Sequence, residues 1–250
     1  MKKIVIGLIS LVLIANAEEV YANFHCEAVK SANLAFDASG IVKKIDVDIS
    51  STVKKGDKLA ELHNEDIKAS LDIAKAALQS AEVTLKFAKK DYDREVIIKH
   101  LVDEAHFDRF AQHYESAKVA LVKAEANLDY KEALYDKTLL YAPYDGVIFY
   151  KNVEVGDVVS GMMLRTIFKI QSSKDRKLIL EFDQKYWKKV KAGQKFKYKI
   201  DGDEKEHEGV ITKIYPRADN ETRKLKAEVK AQEFVVGLFG EGYIHVPDKE

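Results

Sequence analysis

Between Gly56 and Gly146 the chain contains no glycine, and no proline before Pro143. These two residues punctuate chains, so their absence excludes a loop-rich domain there and reads as nearly unbroken helix. Cysteine is scarce as well. Cys26 is the single one, so no intramolecular disulfide can form and stability must come from packing and assembly. Beside His25 it reads as a small, at least partly buried strand residue rather than half of a metal site. An excess of either charge is also missing, with 41 basic and 41 acidic residues. That balance removes the footprint expected of a nucleic-acid binder or of a protein drawn as a whole to an anionic surface. Charge that is plentiful (33%) yet balanced fits long solvated helices with mixed pairs, and 46% hydrophobic residues leave enough for a core.

Catalytic patterns are missing too. There is no Gly-x-Ser-x-Gly, no glycine-rich phosphate loop before Lys-Ser/Thr and no Cys-x-x-Cys. The sequence therefore reads as non-enzymatic, with no cofactor and no metal site. Gly237, Gly240 and Gly242 are in the wrong order for a dinucleotide fingerprint and read as turn glycines between strands. His106 and His113 would share a helix face but lie about 10 Å apart along it, too far for one ion. Met162 and Met163, adjacent on a strand, would point one to the core and one to solvent.

What is present begins with a secretion signal over residues 1–17. Lys2 and Lys3 precede an apolar run from Ile4 to Ile14, and Ala15-Asn16-Ala17 fits a small-x-small cleavage site. The run is well short of the roughly 20 residues that span a bilayer. Cleavage after Ala17 would leave Glu18 first, so no lipid attachment is expected.

The glycine-free span carries two heptad seams. Ile67, Leu71, Ala74, Leu78, Ala81, Leu85, Ala88 and Tyr92 step by four and three. So do Phe107, Phe110, Tyr114, Ala117, Leu121, Ala124 and Leu128. Lys131 interrupts the second seam, and Tyr135 and Leu139 continue it. The link Lys99-His100-Leu101-Val102-Asp103 joins them, with Asp103 a candidate N-cap. A short link makes the helices antiparallel neighbours, each about 50 Å long at 1.5 Å per residue. The first helix has a second stripe at Ala69, Ile73, Ala76, Ser80, Val83 and Phe87. It reads either as a surface for another copy or as a run of good helix formers.

The flanks resemble each other. Gly40-Ile41-Val42 with Val53-Lys54-Lys55-Gly56-Asp57 is echoed by Gly146-Val147-Ile148 with Val153-Glu154-Val155-Gly156-Asp157. Both alternate like half-buried strands and end in a Gly-Asp turn, so the two halves can close into one β domain from which the hairpin projects. Beyond them Lys177–Phe182, Lys195–Ile200, Glu208–Ile214, Leu225–Val229 and Glu241–Val246 read as strands, with a short helix from Asp183 to Val190. They suggest a small antiparallel barrel that Val20–Cys26 completes.

This order of parts resembles the periplasmic adaptor, or membrane fusion protein, family, including its hemolysin-secretion-D-like and resistance-nodulation-division members. The resemblance rests on Gly40 to Leu62, Ala142-Pro143-Tyr144-Asp145-Gly146-Val147 through Asp157, Val190-Lys191-Ala192-Gly193-Gln194, Gly209 to Pro216 and Asp219-Asn220-Glu221-Thr222-Arg223. It implies an elongated α+β chain: a β-barrel plus a split biotinyl/lipoyl-like β domain with a long antiparallel α-helical coiled-coil hairpin. The implied parts are the signal, an N-terminal strand region (18–36) joining the barrel, lipoyl-like half 1 (37–63), the hairpin (64–140), lipoyl-like half 2 (141–171) and the barrel (172–247). A fourth, membrane-proximal domain common in the family is not expected.

The resemblance further implies a periplasmic efflux adaptor of a Gram-negative bacterium, associated with the inner membrane through partners. It would bridge an inner-membrane transporter and an outer-membrane channel for export of drugs or other small molecules, self-associating into a hexameric ring, with no nucleic acid. A resistance-nodulation-division pump is the first expectation for the transporter, an ABC or major-facilitator exporter the second. A free periplasmic coiled-coil scaffold is the reading from another class. Val96, His100, Leu101, Val102, Asp103 and Phe107 form the candidate channel-contacting tip. Ala69, Ile73, Ala76, Val83 and Phe87 form the candidate protomer–protomer stripe. The arginine, leucine and serine that many members carry at the tip do not match here: Tyr92, Val96 and Asp103 hold those places, and Arg94 is offset.

Overall fold

The computed structural model describes residues 18–163 and 165–247, so the secretion signal lies outside the described residues. Along the chain come β1 (Glu18–Ala28), β2 (Ser31–Leu34), β3 (Gly40–Ile45), β4 (Thr52–Val53) and β5 (Lys58–Leu62). Then follow α1 (Glu65–Ile98), a 3-10 turn (Lys99–Leu101) and α2 (Glu104–Asp136). The rest is β6 (Leu139–Tyr141), β7 (Gly146–Lys151), β8 (Val158–Val159), β9 (Phe168–Ser172), β10 (Asp175–Asp183), β11 (Lys195–Ile200), β12 (His207–Ile214), β13 (Lys224–Gln232) and β14 (Phe239–Val246). The described residues divide into two compact units, one holding 18–31 and 171–247, the other Ala32–Ile170.

The first unit is a closed barrel of order β1-β10-β13-β12-β11-β14. Its strands alternate, as one-sided burial requires. In β1, Val20, Ala22, Phe24 and Cys26 point inward and are buried, with Tyr21 exposed between the first two. Inside, Phe24 meets Phe196 and Tyr198 edge-on, with centroids 5.9 and 5.3 Å away. Gly240 and Gly242 lie within β14 and not in a turn between strands, as the sequence suggested. A Cβ on Gly240 would sit 2.2 Å from the Lys199 carbonyl oxygen and 2.5 Å from the Phe24 ring; one on Gly242 would sit 2.2 Å from the Lys197 carbonyl oxygen. Close approach of β11 and an aromatic core demand glycine here.

The second unit contains two four-stranded sheets, β2-β9-β7-β4 and β6-β5-β3-β8. The echoed halves clasp each other. Gly56 N donates to Ala142 O and Ala142 N donates to Asp57 O, each at 2.9 Å. In the other direction Gly156 N donates to Val42 O at 2.8 Å and Val42 N to Asp157 O at 2.9 Å. Both turns need a left-handed glycine, φ +87° at Gly56 and +95° at Gly156. Asp57 and Asp157 each accept a backbone N–H three residues back, from Lys54 and Glu154. Val42, Leu59, Leu62, Ile148, Phe168 and Ile170 fill the space between.

The helices pair antiparallel. Near their far ends Tyr92 stacks on Tyr114 at 5.2 Å and tilts against Phe107 at 5.7 Å. At their base the buried Asn64 donates its amide to Thr138 Oγ1 at 3.0 Å, and Thr138 Oγ1 donates to Tyr135 O at 2.6 Å. Asp103 caps α2, accepting from His106 N at 2.8 Å. Every residue named in the two seams is buried or half-buried, and so is Lys131.

Three further expectations change. The segment Asp183–Val190 forms only a 3-10 turn, Gln184–Tyr186, because Val190 must turn back into the barrel core. Leu139 belongs to β6, since α2 stops at Asp136. Met162 and Met163 lie in a turn after β8, both exposed, so strand alternation does not apply.

Candidate docking surfaces

The hairpin seam uses one side of each helix. A heptad position two residues after a seam position lies on the opposite face. Ala69, Ile73, Ala76, Ser80, Val83 and Phe87 occupy those positions, and all are exposed. Ile73 is 71% exposed and Phe87 58%. The structure therefore brings the stripe together along the outer face of α1. Lys90 stands over the Phe87 ring, its Nζ 5.7 Å from the centroid. The outer face of α2 has an apolar row too, at Val119, Val122 and Tyr130, all exposed. The sequence reading missed it. Its signal was present, since these positions lie outside the seam yet are apolar.

The candidate tip residues are not equivalent. Val96, His100, Leu101 and Asp103 are exposed, and Val102 is half-buried. Phe107 belongs to the seam, packed on Tyr92 beneath the Lys99 ammonium, which lies 4.4 Å from its ring centroid. Ile97, 73% exposed, joins Leu101 at 74% as the most open apolar side chains of this end, and the sequence reading had passed over it. A polar pair faces across the two helices, with His106 Nε2 3.3 Å from Glu95 Oε2 but no hydrogen bond to that oxygen. His106 also tilts against Phe110, with ring centroids 5.2 Å apart, and holds its Nδ1 3.1 Å from Arg109 Nη2. The arrangement can present an apolar end and two apolar flanks. Nothing in it resembles a reacting group beside a base.

No protein-family model matches the chain. A curated relative, the multidrug resistance protein MdtA of Proteus mirabilis, is 28% identical over 139 residues. The match spans 54% of this chain but only 33% of that protein. Among solved structures, MacA from Actinobacillus actinomycetemcomitans superposes with a TM-score of 0.77 at 23% identity, covering 94% of this chain and 80% of that one. The membrane fusion protein Spr0693 from Streptococcus pneumoniae R6 gives 0.71 at 14% identity, covering 92% of this chain and all of that one. The chain has the membrane fusion protein fold. A MacA chimera carrying the Pseudomonas aeruginosa MexA α-hairpin domain shares it as well, at a TM-score of 0.77 and 22% identity over 93% of this chain. Among the described residues no helix is long and apolar enough to cross a membrane.

Proposed function

We propose that this chain is the non-enzymatic adaptor of an efflux assembly, a membrane fusion protein in role as well as in fold. In this reading the two sheets are a lipoyl-like domain interrupted by a coiled-coil hairpin. The chain is exported to the periplasm and joins an inner-membrane transporter to an outer-membrane channel. The observation that carries the reading is the hairpin's double use of apolar residues. One face of α1 is consumed by α2, yet the opposite face keeps Ile73, Val83 and Phe87 in water. A regular apolar stripe on an exposed helix is an association signal. The fold and the multidrug-resistance relative support the choice of efflux over a free scaffold.

The test separates folding from assembly. Phe87→Glu should leave helicity and melting unchanged, because the seam lies on Leu85 and Ala88. It should abolish drug export and prevent the ring of adaptors from forming, read by drug accumulation and by size in solution. In cells, a cysteine at Val102 should crosslink to one at the periplasmic end of the channel. A Phe87→Glu protein that exports normally, or a crosslink obtained only from barrel positions, would overturn the reading.

A further inference from the structure

The balanced net charge spoke against an anionic surface as a partner. The barrel shows that this balance is an average over two unlike ends. The strand register puts Glu18, Asp183, Lys195, Lys224 and Val246 at one end, and Ala28, Asp175, Ile200, His207 and Gln232 at the other. At the second end the loop of residues 201–206 carries Asp201, Asp203, Glu204 and Glu206 against Lys205. At the first end the loop of residues 184–194 carries Lys185, Lys188, Lys189 and Lys191 and no acidic residue, while the other loop of that end, residues 215–223, is balanced, with Arg217 and Arg223 against Asp219 and Glu221.

That same basic loop holds the only tryptophan of the chain, Trp187, 65% exposed. Its exposure is built in. Val190 is buried in the barrel core, and Tyr186 packs against that core. Val190 N donates to Tyr186 O at 3.0 Å, and Trp187 N to Gln184 O at 3.0 Å. Gln194 ties the far side, donating to Lys189 O and accepting from Lys191 N, both at 2.9 Å. With both neighbours held inward, the indole points to solvent beneath the Lys188 ammonium, 5.1 Å from its ring. The nearby acids are partly engaged: Glu18 pairs with Lys189 at 2.6 Å, and Asp183 accepts from Lys185 N at 2.8 Å. A groove of about 450 Å³, lined by Lys188, Lys189, Lys191, Val246 and Pro247 among others, opens beside it.

We propose that this end of the barrel docks on an anionic phospholipid surface, with Trp187 entering the headgroup region and Lys185, Lys188 and Lys191 meeting lipid phosphates. Tryptophan settles at membrane–water interfaces because its ring is apolar and its N–H polar. Each lysine near an anionic leaflet adds about 1 kcal/mol, roughly a fivefold gain in partition. A loop already ordered loses little entropy on docking. The inference does not depend on what the hairpin meets, so it stands apart from the adaptor reading.

Because Trp187 is the single tryptophan, its fluorescence reports on this loop alone. The full chain as purified from cells would be mixed with vesicles of phosphatidylglycerol and phosphatidylethanolamine, and separately with phosphatidylcholine vesicles. The indole emission should shift to the blue on the anionic vesicles, be quenched by bromines on their acyl chains, and return towards its starting position in high salt. Lys188→Glu with Lys191→Glu, both at exposed positions, should keep the melting profile and weaken this partition by at least about tenfold. Binding through the apolar residues 4–14 is told apart by the same signal. Vesicle-bound protein with an unshifted indole, no binding to anionic vesicles, equal shifts on neutral and anionic vesicles, or a shift that needs an added membrane protein would each overturn the proposal.

Discussion

In the barrel, Phe24, Phe182, Phe196 and their neighbours are almost wholly enclosed, whereas the two long helices bury only Leu71, Ala74, Ala88 and Ala117 to a comparable degree. The barrel closes on itself around a core of its own. The hairpin pairs along one narrow seam, and most of its remaining surface faces water. Its small seam residues let the two axes approach closely, but they bury little area, so helix propensity must supply part of its stability. A part that holds its shape with few enclosed residues keeps its apolar flanks free for others.

The sharpest way to break this contrast is one added side-chain heavy atom in each part. Gly240→Ala forces a Cβ into the Lys199 carbonyl and the Phe24 ring, and should destabilise the barrel by about 3 kcal/mol or more, since backbone must move. Adding a hydroxyl to exposed Ala76 by Ala76→Ser should change hairpin stability by no more than about 0.5 kcal/mol. Urea unfolding of both variants checks this. A mild Gly240→Ala would mean the barrel wall can yield, and the contrast would fail.

Within the hairpin the contrast has a gradient. Leu71 is 6% exposed, whereas Leu78 and Leu121, which the seam pattern alone would rank as equals, are half-buried. Leu71→Ala should therefore lose about 2–3 kcal/mol and Leu78→Ala about half of that, read as loss of helical ellipticity on heating. Equal losses would mean that the seam tightens in the assembled protein.

The base of the hairpin is the exception, because there it behaves like a core. Asn64 is 2% exposed and Thr138 1%, joined by a hydrogen bond of 3.0 Å. Thr138→Val keeps the shape but strands the Asn64 amide, which should cost about 1–3 kcal/mol. Asn64→Ala in the same background should add little beyond it, because the stranded donor is removed too. A double-mutant cycle of thermal melts measures the coupling.

Much of this was readable beforehand, for identifiable reasons. A glycine-free span with seams at fixed spacing leaves no competing periodicity, and the seam residues are the ones the structure covers. The echo of Gly56-Asp57 in Gly156-Asp157 is legible because each glycine sits at a positive φ that few other residues tolerate. Leu139 was misread because apolar spacing does not mark where a helix ends; Thr138 does, by turning its hydroxyl to Tyr135 O. Gly240 and Gly242 were misread because close strand approach is a tertiary fact with no local sign. The candidate docking residues were half legible. Spacing separates seam from outer face and puts Phe107 in the seam, but it does not say that Ile97 is left open. The charge at the barrel end was hidden by the opposite charge at its other end, and only the strand register separates them.

The smallest expected effect concerns the junction between sheet and hairpin. Glu65 opens α1, and its carboxylate lies 2.7 Å from the Lys43 ammonium on β3. The Lys43 hydrogen bond, helped by backbone N–H groups at the helix start, lowers the Glu65 pKa from 4.5 to about 2. The folded value is depressed, so the contribution is fully present above about 4.5 and is lost as pH falls towards about 2. Both groups are exposed, and salt should weaken the pair. Amide exchange in the first turn of α1 should therefore speed up as pH drops through this window, beyond the intrinsic pH dependence of exchange. Lys43→Met should remove most of that extra acceleration while leaving exchange in the barrel strands unchanged. If the variant keeps the full acid response, the first turn is held by its own backbone and the pair is incidental. If the barrel responds as well, the two parts are less independent than their separate cores imply.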